Sequence, residues 1–270
     1  MTTNIANSIA RIQGTQLKKA VALFSKLKLN ISEAVLSVRQ GSISIAAMYG
    51  GTGLKVTLPS DSIGKDDCEI DLQGLKDILG GVKGIIEIAT NGSVIINTDS
   101  GEIVLPFTPG KLALPNVKQE TASVYSEDLQ KALRKVLPFS ATSENKRNLY
   151  GVLVEVQETG LRAVASDGFR LAYADISAKG VREESVMIPL VLARLLQDVI
   201  RLVPACEVSV RADKSVLKIH SEYFELVFPR PDFEFPDYRR ILPGDFRATL
   251  EVSREELLEA VNRSLGADKV

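Results

Sequence analysis

Apolar residues recur at i, i+3 and i+4 in three separated stretches: TQLKKAVALFSKL from Thr15, SEDLQKALRKVL from Ser126 and SREELLEAVNRSL from Ser253. Each places a leucine, an alanine and a further apolar residue on one helical face, namely Leu17, Ala20 and Val21, then Leu129, Ala132 and Leu133, then Leu257, Ala260 and Val261. Ser126 and Ser253 stand where an N-cap would. Segments of period two follow the first two helices, with Ile43 and Ile45 between serines and Val208 and Val210 between Glu207, Ser209 and Arg211. A second helix is expected in each copy, in IDLQGLKDIL from Ile70 and in IPLVLARLLQDVIRLV from Ile188. Both copies then run through strands to an aromatic residue and a proline, Phe107 with Pro115 and Phe228 with Pro236. The chain therefore reads as tandem units of about 120 residues. They span residues 1–120 and 121–246, with boundaries near Glu120 and Phe246, and a third begins at 247–270. The fold class is α+β, with antiparallel sheets that carry two helices each on one face.

Composition narrows this little: 270 residues, 45% apolar and 25% charged, describe an ordinary globular chain. No apolar run approaches the roughly 20 residues that span a bilayer, and the N-terminus MTTNIANSIARIQGTQ lacks the succession of a signal peptide. A cytoplasmic protein with no membrane partner is expected. Cys68 and Cys206 lie far apart in no metal-ligand spacing and read as small buried or half-buried thiols in a reducing compartment. Net charge is −1, so any DNA partner requires positive charge to be segregated. At 100° per residue, Lys19 and Lys26 lie opposite Leu17, Val21 and Phe24. Lys131 and Arg134 lie opposite Leu129, Leu133 and Val136, and Arg194 and Arg201 lie opposite Leu192, Leu196 and Val199. On any one helix such a face is more often ordinary solvated surface than a track for a phosphate backbone; agreement across three helices narrows those odds, while the remaining helix, with Lys76 and Asp77, is charge-balanced and does not add to the case.

No catalytic constellation emerges. His220 sits in the strand pattern VLKIHSEYF, Gly53-Leu54-Lys55 cannot make a phosphate loop, and Asp232, Glu234 and Asp237 match no metal loop. No catalytic residue, cofactor or metal is expected. MYGGTGLKVT reads as a turn between strands, and Asp167-Gly168 as a tight turn in which Gly168 supplies any positive φ.

ENKRNLYGVLVE from Glu144, VASDGFRLAYADI from Val164 and FPDYRRILP from Phe235 resemble, in order and spacing, the second domain of bacterial DNA polymerase III beta subunits, the sliding clamps. The resemblance is close over residues 121 to 247. Domain one is similar only in layout, and SIAAMYGGTGLKV lacks the Thr-Asp pair expected there. It implies tandem clamp-type domains in a two-chain ring around duplex DNA, without sequence preference. It also implies half of a hydrophobic groove that captures short linear motifs of DNA polymerase, clamp loader and repair proteins. Carried across, Leu149, Ser166, Gly168, Phe169, Arg170 and Leu171 would form one wall, joined by Pro236, Arg240 and Ile241. Ser166 and Phe169 stand where the family often has Thr and His. Lys146 and Arg147 would lie near the DNA. Because the third unit reaches only its first helix, the chain as given is expected to be monomeric or a weak dimer, with its final dozen residues mobile. The alternative reading is a monomeric adaptor that docks peptides and does not encircle DNA.

Overall fold

The structure is a computed structural model that describes residues 8–27, 29, 31–90, 92–157, 160–180, 182–245 and 247–267. The expected boundary residue Phe246 and the last three of the final dozen residues lie outside the described residues. The chain forms two compact units, residues 1–235 and residues 236–270.

The first unit holds two copies of one chain path. The first copy contains β1 (Ser8–Gln13), α1 (Gly14–Lys26), β2 (Glu33–Arg39), β3 (Ser42–Tyr49), β4 (Thr52–Pro59) and a short β5 (Asp61–Ile63). It continues with β6 (Asp66–Asp71), α2 (Leu72–Ile78), β7 (Ile85–Thr90), β8 (Ser93–Thr98), β9 (Gly101–Pro106) and β10 (Thr108–Pro109). The second contains β11 (Glu120–Tyr125), α3 (Ser126–Val136), β12 (Gly151–Gln157), β13 (Gly160–Ser166), β14 (Leu171–Ile176) and a short β15 (Lys179–Gly180). It ends with β16 (Glu184–Pro189), α4 (Leu190–Leu202), β17 (Glu207–Ala212), β18 (Val216–His220) and β19 (Phe224–Pro229). Within each copy a strand–helix–three-strand path occurs twice.

The strands form three antiparallel sheets, ordered β5-β1-β7-β8-β9, β10-β6-β2-β3-β4-β19-β18-β17-β11-β15 and β14-β13-β12-β16. The ten-stranded sheet joins the copies: β4 of the first pairs with β19 of the second through Phe224↔Val56, Glu225↔Lys55, Leu226↔Leu54 and Val227↔Gly53. Glu120, the expected boundary, opens β11 and so divides repeats within one compact unit.

Period two sets which face each strand buries. Leu54, Val56, Phe224 and Leu226 are essentially inaccessible at the junction, whereas Lys55 and Glu225 point to the other face and form an ion pair at 3.8 Å. Helices cover the apolar face. Leu17, Ala20, Val21, Leu23 and Phe24 of α1 are buried, and burying a ring such as that of Phe24 contributes about 2–3 kcal/mol. In α4, Leu192, Ala193, Leu195, Leu196, Val199 and Ile200 are buried. Helix α1 packs against α2 and α4, and α3 packs against α4, so the four stand in the row α2, α1, α4, α3. The central contact, α1 on α4, crosses the repeat boundary.

Local signals behave as their chemistry requires, with one correction. Asp71 caps α2, accepting from Gln73 N at 3.1 Å and Gly74 N at 2.9 Å. Gly50 and Gly51 turn β3 into β4 with φ of 57° and 81°, the two positive values that a type I′ hairpin turn needs. Ser126 is not an N-cap: it is the first residue of α3, its hydroxyl accepts from Cys206 N at 3.1 Å and its N–H donates to Cys206 O at 2.9 Å. A tertiary partner has taken the local hydrogen bond. Ser253 does cap, accepting from Glu256 N at 3.4 Å. Both cysteines are free and buried, and burial pushes the Cys68 thiol up to about 12.

On the face away from the helices, the segment between the copies lies along the shared sheet. Lys218 donates to Pro115 O at 3.4 Å, Arg211 reaches Val117 O, and Val117 is buried. Lys218 is itself only 8% exposed and pairs with Glu225 at 2.6 Å. Removing one partner of such a pair strands the other charge. Glu225→Ala should therefore lower unfolding stability by about 2 kcal/mol, with most of it recovered when Lys218→Met is added. Urea denaturation of the two variants checks this, and equal loss in both would place the effect elsewhere.

The second unit carries a 3-10 turn over Tyr238–Ile241 and α5 (Arg254–Ala267). Tyr238 is buried, whereas Leu257, Leu258 and Val261 of α5 are about half exposed, between 46% and 53%.

Candidate functional site

The Asp-Gly-Phe-Arg segment is a tight turn between β13 and β14. Asp167 Oδ1 accepts from Phe169 N at 2.9 Å and Arg170 N at 2.8 Å, and its Oδ2 takes the Arg170 guanidinium at 2.8 and 3.0 Å. Asp167 N donates to Arg170 O at 3.2 Å. Gly168 has φ of 92°, a conformation that a Cβ would strain. Phe169 is lifted out of the turn and is 92% exposed, the most exposed large apolar side chain among the described residues. Lys146 lies over its ring at 5.1 Å from the centroid and donates to Asp167 O at 2.8 Å, while Arg170 lies over Phe139 at 5.3 Å.

A loop from the end of α3 clasps this turn. Ala141 N donates to both Leu149 O at 3.1 Å and Ser166 O at 3.2 Å, and Ser140 Oγ bridges Leu149 O and Gly151 N. Leu149 comes to within van der Waals distance of the place a Gly168 Cβ would occupy, 3.7 Å. Among the expected wall residues, Leu149, Gly168, Phe169, Arg170 and the half-buried Leu171 thus gather around one turn. Ser166 has another part. It is buried, donates to Arg170 O at 2.8 Å and accepts from Gly168 N at 3.1 Å, so it braces the turn from inside.

Pro236, Arg240 and Ile241 belong to the second compact unit. There Arg240 pairs with Asp237 at 2.9 Å, and Ile241 is 71% exposed.

The expected DNA-facing residues Lys19, Lys26, Lys131, Arg134, Arg194 and Arg201 are all exposed on the helix row. Over α1–α4 there are nine lysines and arginines against four aspartates and glutamates, on a chain whose net charge is −1. The strands and loops are accordingly acidic. Projection of single helices missed how the row is tied together. Asp198 of α4 takes Lys26 of α1 at 2.7 Å and Arg201 at 3.7 Å, and Lys76 of α2 reaches Ser25 Oγ at 3.4 Å. Lys131 pairs with Asp128 at 3.0 Å. Arg147 is exposed, but Lys146 is engaged with the turn.

The other candidates fall to structural roles. His220 is a half-buried strand residue opposite Ser209 and Glu225, and burial lowers its pKa. Gly53, Leu54 and Lys55 lie in β4, and among the described residues no cluster of three side chains could hold a metal ion.

Two backbone N–H groups and the Arg170 guanidinium hold the Asp167 carboxyl well below the usual carboxylate range. A depressed pKa stabilises the folded turn at every pH above the ordinary carboxylate value and gives way only when acid reaches the lowered one. The Phe169 and Arg170 amide resonances should therefore stay constant from pH 7 down to about pH 3, below the ordinary aspartate midpoint of about 3.9. Asp167→Ala should shift both at neutral pH, and a transition near pH 4 in the unmodified protein would contradict the assignment.

Comparison with known proteins follows the same lines. The family model described as the DNA polymerase III beta subunit central domain matches residues 123–236. A beta sliding clamp of Vibrio cholerae is 30% identical over 157 residues, which are 56% of this chain and 42% of that protein. One from Helicobacter pylori strain J99 is 23% identical over 238 residues, 84% of this chain and 63% of that one. The chain thus spans less than half the length of the first of these relatives. The crystal structure of the Thermotoga maritima beta subunit superposes with a TM-score of 0.75 at 26% identity, covering 95% of this chain and 73% of that one. The Helicobacter pylori beta clamp bound to a DNA ligase peptide shares the fold, with a TM-score of 0.72 at 20% identity over 94% of this chain and 75% of that one. No helix among the described residues is long and apolar enough to cross a membrane. The chain is thus similar in its second repeat to the DNA polymerase III beta subunit central domain, along most of its length to curated beta sliding clamps, and in fold to solved beta subunits.

Proposed function

We propose that this chain serves as part of a sliding clamp, a cytoplasmic processivity factor without a catalytic site or cofactor of its own. It holds duplex DNA against its helix row and tethers replication and repair proteins through the turn at Asp167. The observation that carries the DNA part is the charge of that row, nine basic against four acidic residues in helices packed side by side across the repeat boundary. Helices lined up in this way offer a phosphate backbone a continuous positive surface, and none of them carries the base-reading pattern of a recognition helix. A surface of this kind holds DNA loosely and without sequence preference, which suits sliding.

Ring formation is supported by the way the repeats join. β4 pairs with β19; β14 is the topological counterpart of β4, and β9 that of β19. Among the described residues, β14 and β9 are both sheet edges. A unit with two complementary edges builds a head-to-tail series, and such a series closes when its rotation does. The peptide-docking part draws on the exposed Phe169, with Leu149 and Leu171 beside it, and on the related clamp that was crystallised with a DNA ligase peptide.

Duplex binding measured by fluorescence anisotropy tests the reading. Affinity should fall steeply with salt and be equal across unrelated sequences. Replacing Lys131, Arg134, Arg194 and Arg201 with Glu should weaken it by about tenfold or more at low salt and flatten the salt slope, by the same factor for each sequence. Binding that survives high salt or prefers one sequence would sink the proposal, and no measurable duplex binding alongside peptide binding would leave an adaptor.

A further inference from the structure

Register places a second pocket in the first repeat at the position that the Asp167 turn occupies in the second. Glu33 pairs with Asp71, the residue before α2, and Gly151 pairs with Pro189, the residue before α4. One step along the sheet, Val35 pairs with Ala46 and Leu153 with Val164. The next step pairs Ala46 with Lys55 and Val164 with Tyr173. Ile31 is therefore the counterpart of Leu149, Met48 of Ser166 and Gly53 of Leu171.

A cavity of about 240 Å³ opens at this place, and both Ile31 and Met48 line it. Val35 and Ala46, neighbours on one face of the sheet, supply apolar floor. The segment after β10 supplies the opposite wall with Lys111 and Leu112. That segment is seated by Leu114, whose Cδ2 lies 2.5 Å from where a Gly53 Cβ would stand. The absence of a side chain at Gly53 thus lets the segment lie close to the sheet and form a pocket.

The rim chemistry identifies the occupant. Glu33 and Glu69 both line the cavity, both are exposed, and neither has an ion pair among the described residues. Asp71 stands opposite Glu33 in register. The cations nearby are Lys111, on the rim itself, and Lys55, which is committed to Glu225 across the repeat junction. The carboxylates outnumber the free cation, and the volume suits one aliphatic side chain.

From this juxtaposition we infer that the first repeat carries its own docking pocket, for a basic segment of a partner protein that presents one aliphatic anchor between lysines or arginines. Its preference is opposite in charge to that of the Asp167 turn, where Lys146 and Arg170 gather. The inference does not depend on what that turn binds.

The full chain can be tested with fluorescein-labelled acetyl-Lys-Lys-Met-Lys-Lys-amide and its counterpart with four Glu in place of Lys. The sequence has only three methionines, so carbon-13 methyl labelling isolates Met48. The basic peptide should bind and shift the Met48 methyl resonance. Glu33→Lys with Glu69→Lys, both at exposed positions, should weaken it at least tenfold and reverse the preference toward the acidic peptide. Leu171→Asp should leave it unchanged, which separates this pocket from the turn in the second repeat. A Met48 methyl that does not move, binding undiminished by the double charge reversal, or binding abolished by Leu171→Asp would each overturn the inference.

Discussion

The hydrogen-bonded pairing of β4 with β19 is the constraint on which the rest of this molecule depends. Each repeat alone offers sheets with one apolar face and two short or medium helices. Joined edge to edge, the copies share one ten-stranded sheet, and Leu54, Val56, Phe224 and Leu226 lose all contact with water. The same joint fixes α1 beside α4, and with it the order of all four helices. Were β4 and β19 separate edges, each would expose a row of unpaired backbone groups. The helix row would then be two pairs on a hinge.

Charge follows from this geometry. Helices on one side of the shared sheet collect the basic residues, and the other side carries alternating pairs such as Lys55 with Glu225 and Lys218 with Glu225. A chain with a net charge of −1 can therefore present a positive surface without being a basic protein. Asp198, between Lys26 and Arg201, both ties α1 to α4 and tempers that surface. Loose, screened contact is what a protein that moves along a polyanion requires.

Much of this was legible in the sequence because period and punctuation are local. Leu17, Ala20 and Val21 declare the buried face of α1, and Leu129, Ala132 and Leu133 that of α3, as surely as Gly50-Gly51 and Asp167-Gly168 declare turns. The repeats and the wording around Asp167 led to the resemblance to beta sliding clamps. What stayed hidden depends on partners distant in sequence. The hydroxyl of Ser126 looked like a cap until Cys206, from the other end of the repeat, occupied it. Ser166, expected in the groove wall, also braces the turn through Arg170 O and Gly168 N, a part that the sequence around it did not show. Alternation says that a strand buries one face but not which strand lies beside it, so the β4–β19 joint carried no signal. Gly53 was read only as part of a turn, whereas its meaning comes from Leu114 lying over it.

Hydrogen exchange at the repeat junction tests the central claim most directly. If β4 and β19 form the middle of one continuous sheet, the junction amides within Gly53–Val56 and Phe224–Val227 that donate across the pairing should exchange only with global unfolding. They should be as slow as those between β3 and β4, whereas the outward-facing amides of the edge strands β9 and β14 should exchange far faster. Junction amides that exchange at edge-strand rates while the interiors of both repeats stay protected would show two bodies on a hinge. The continuous helix row, and the account of DNA contact built on it, would then be wrong.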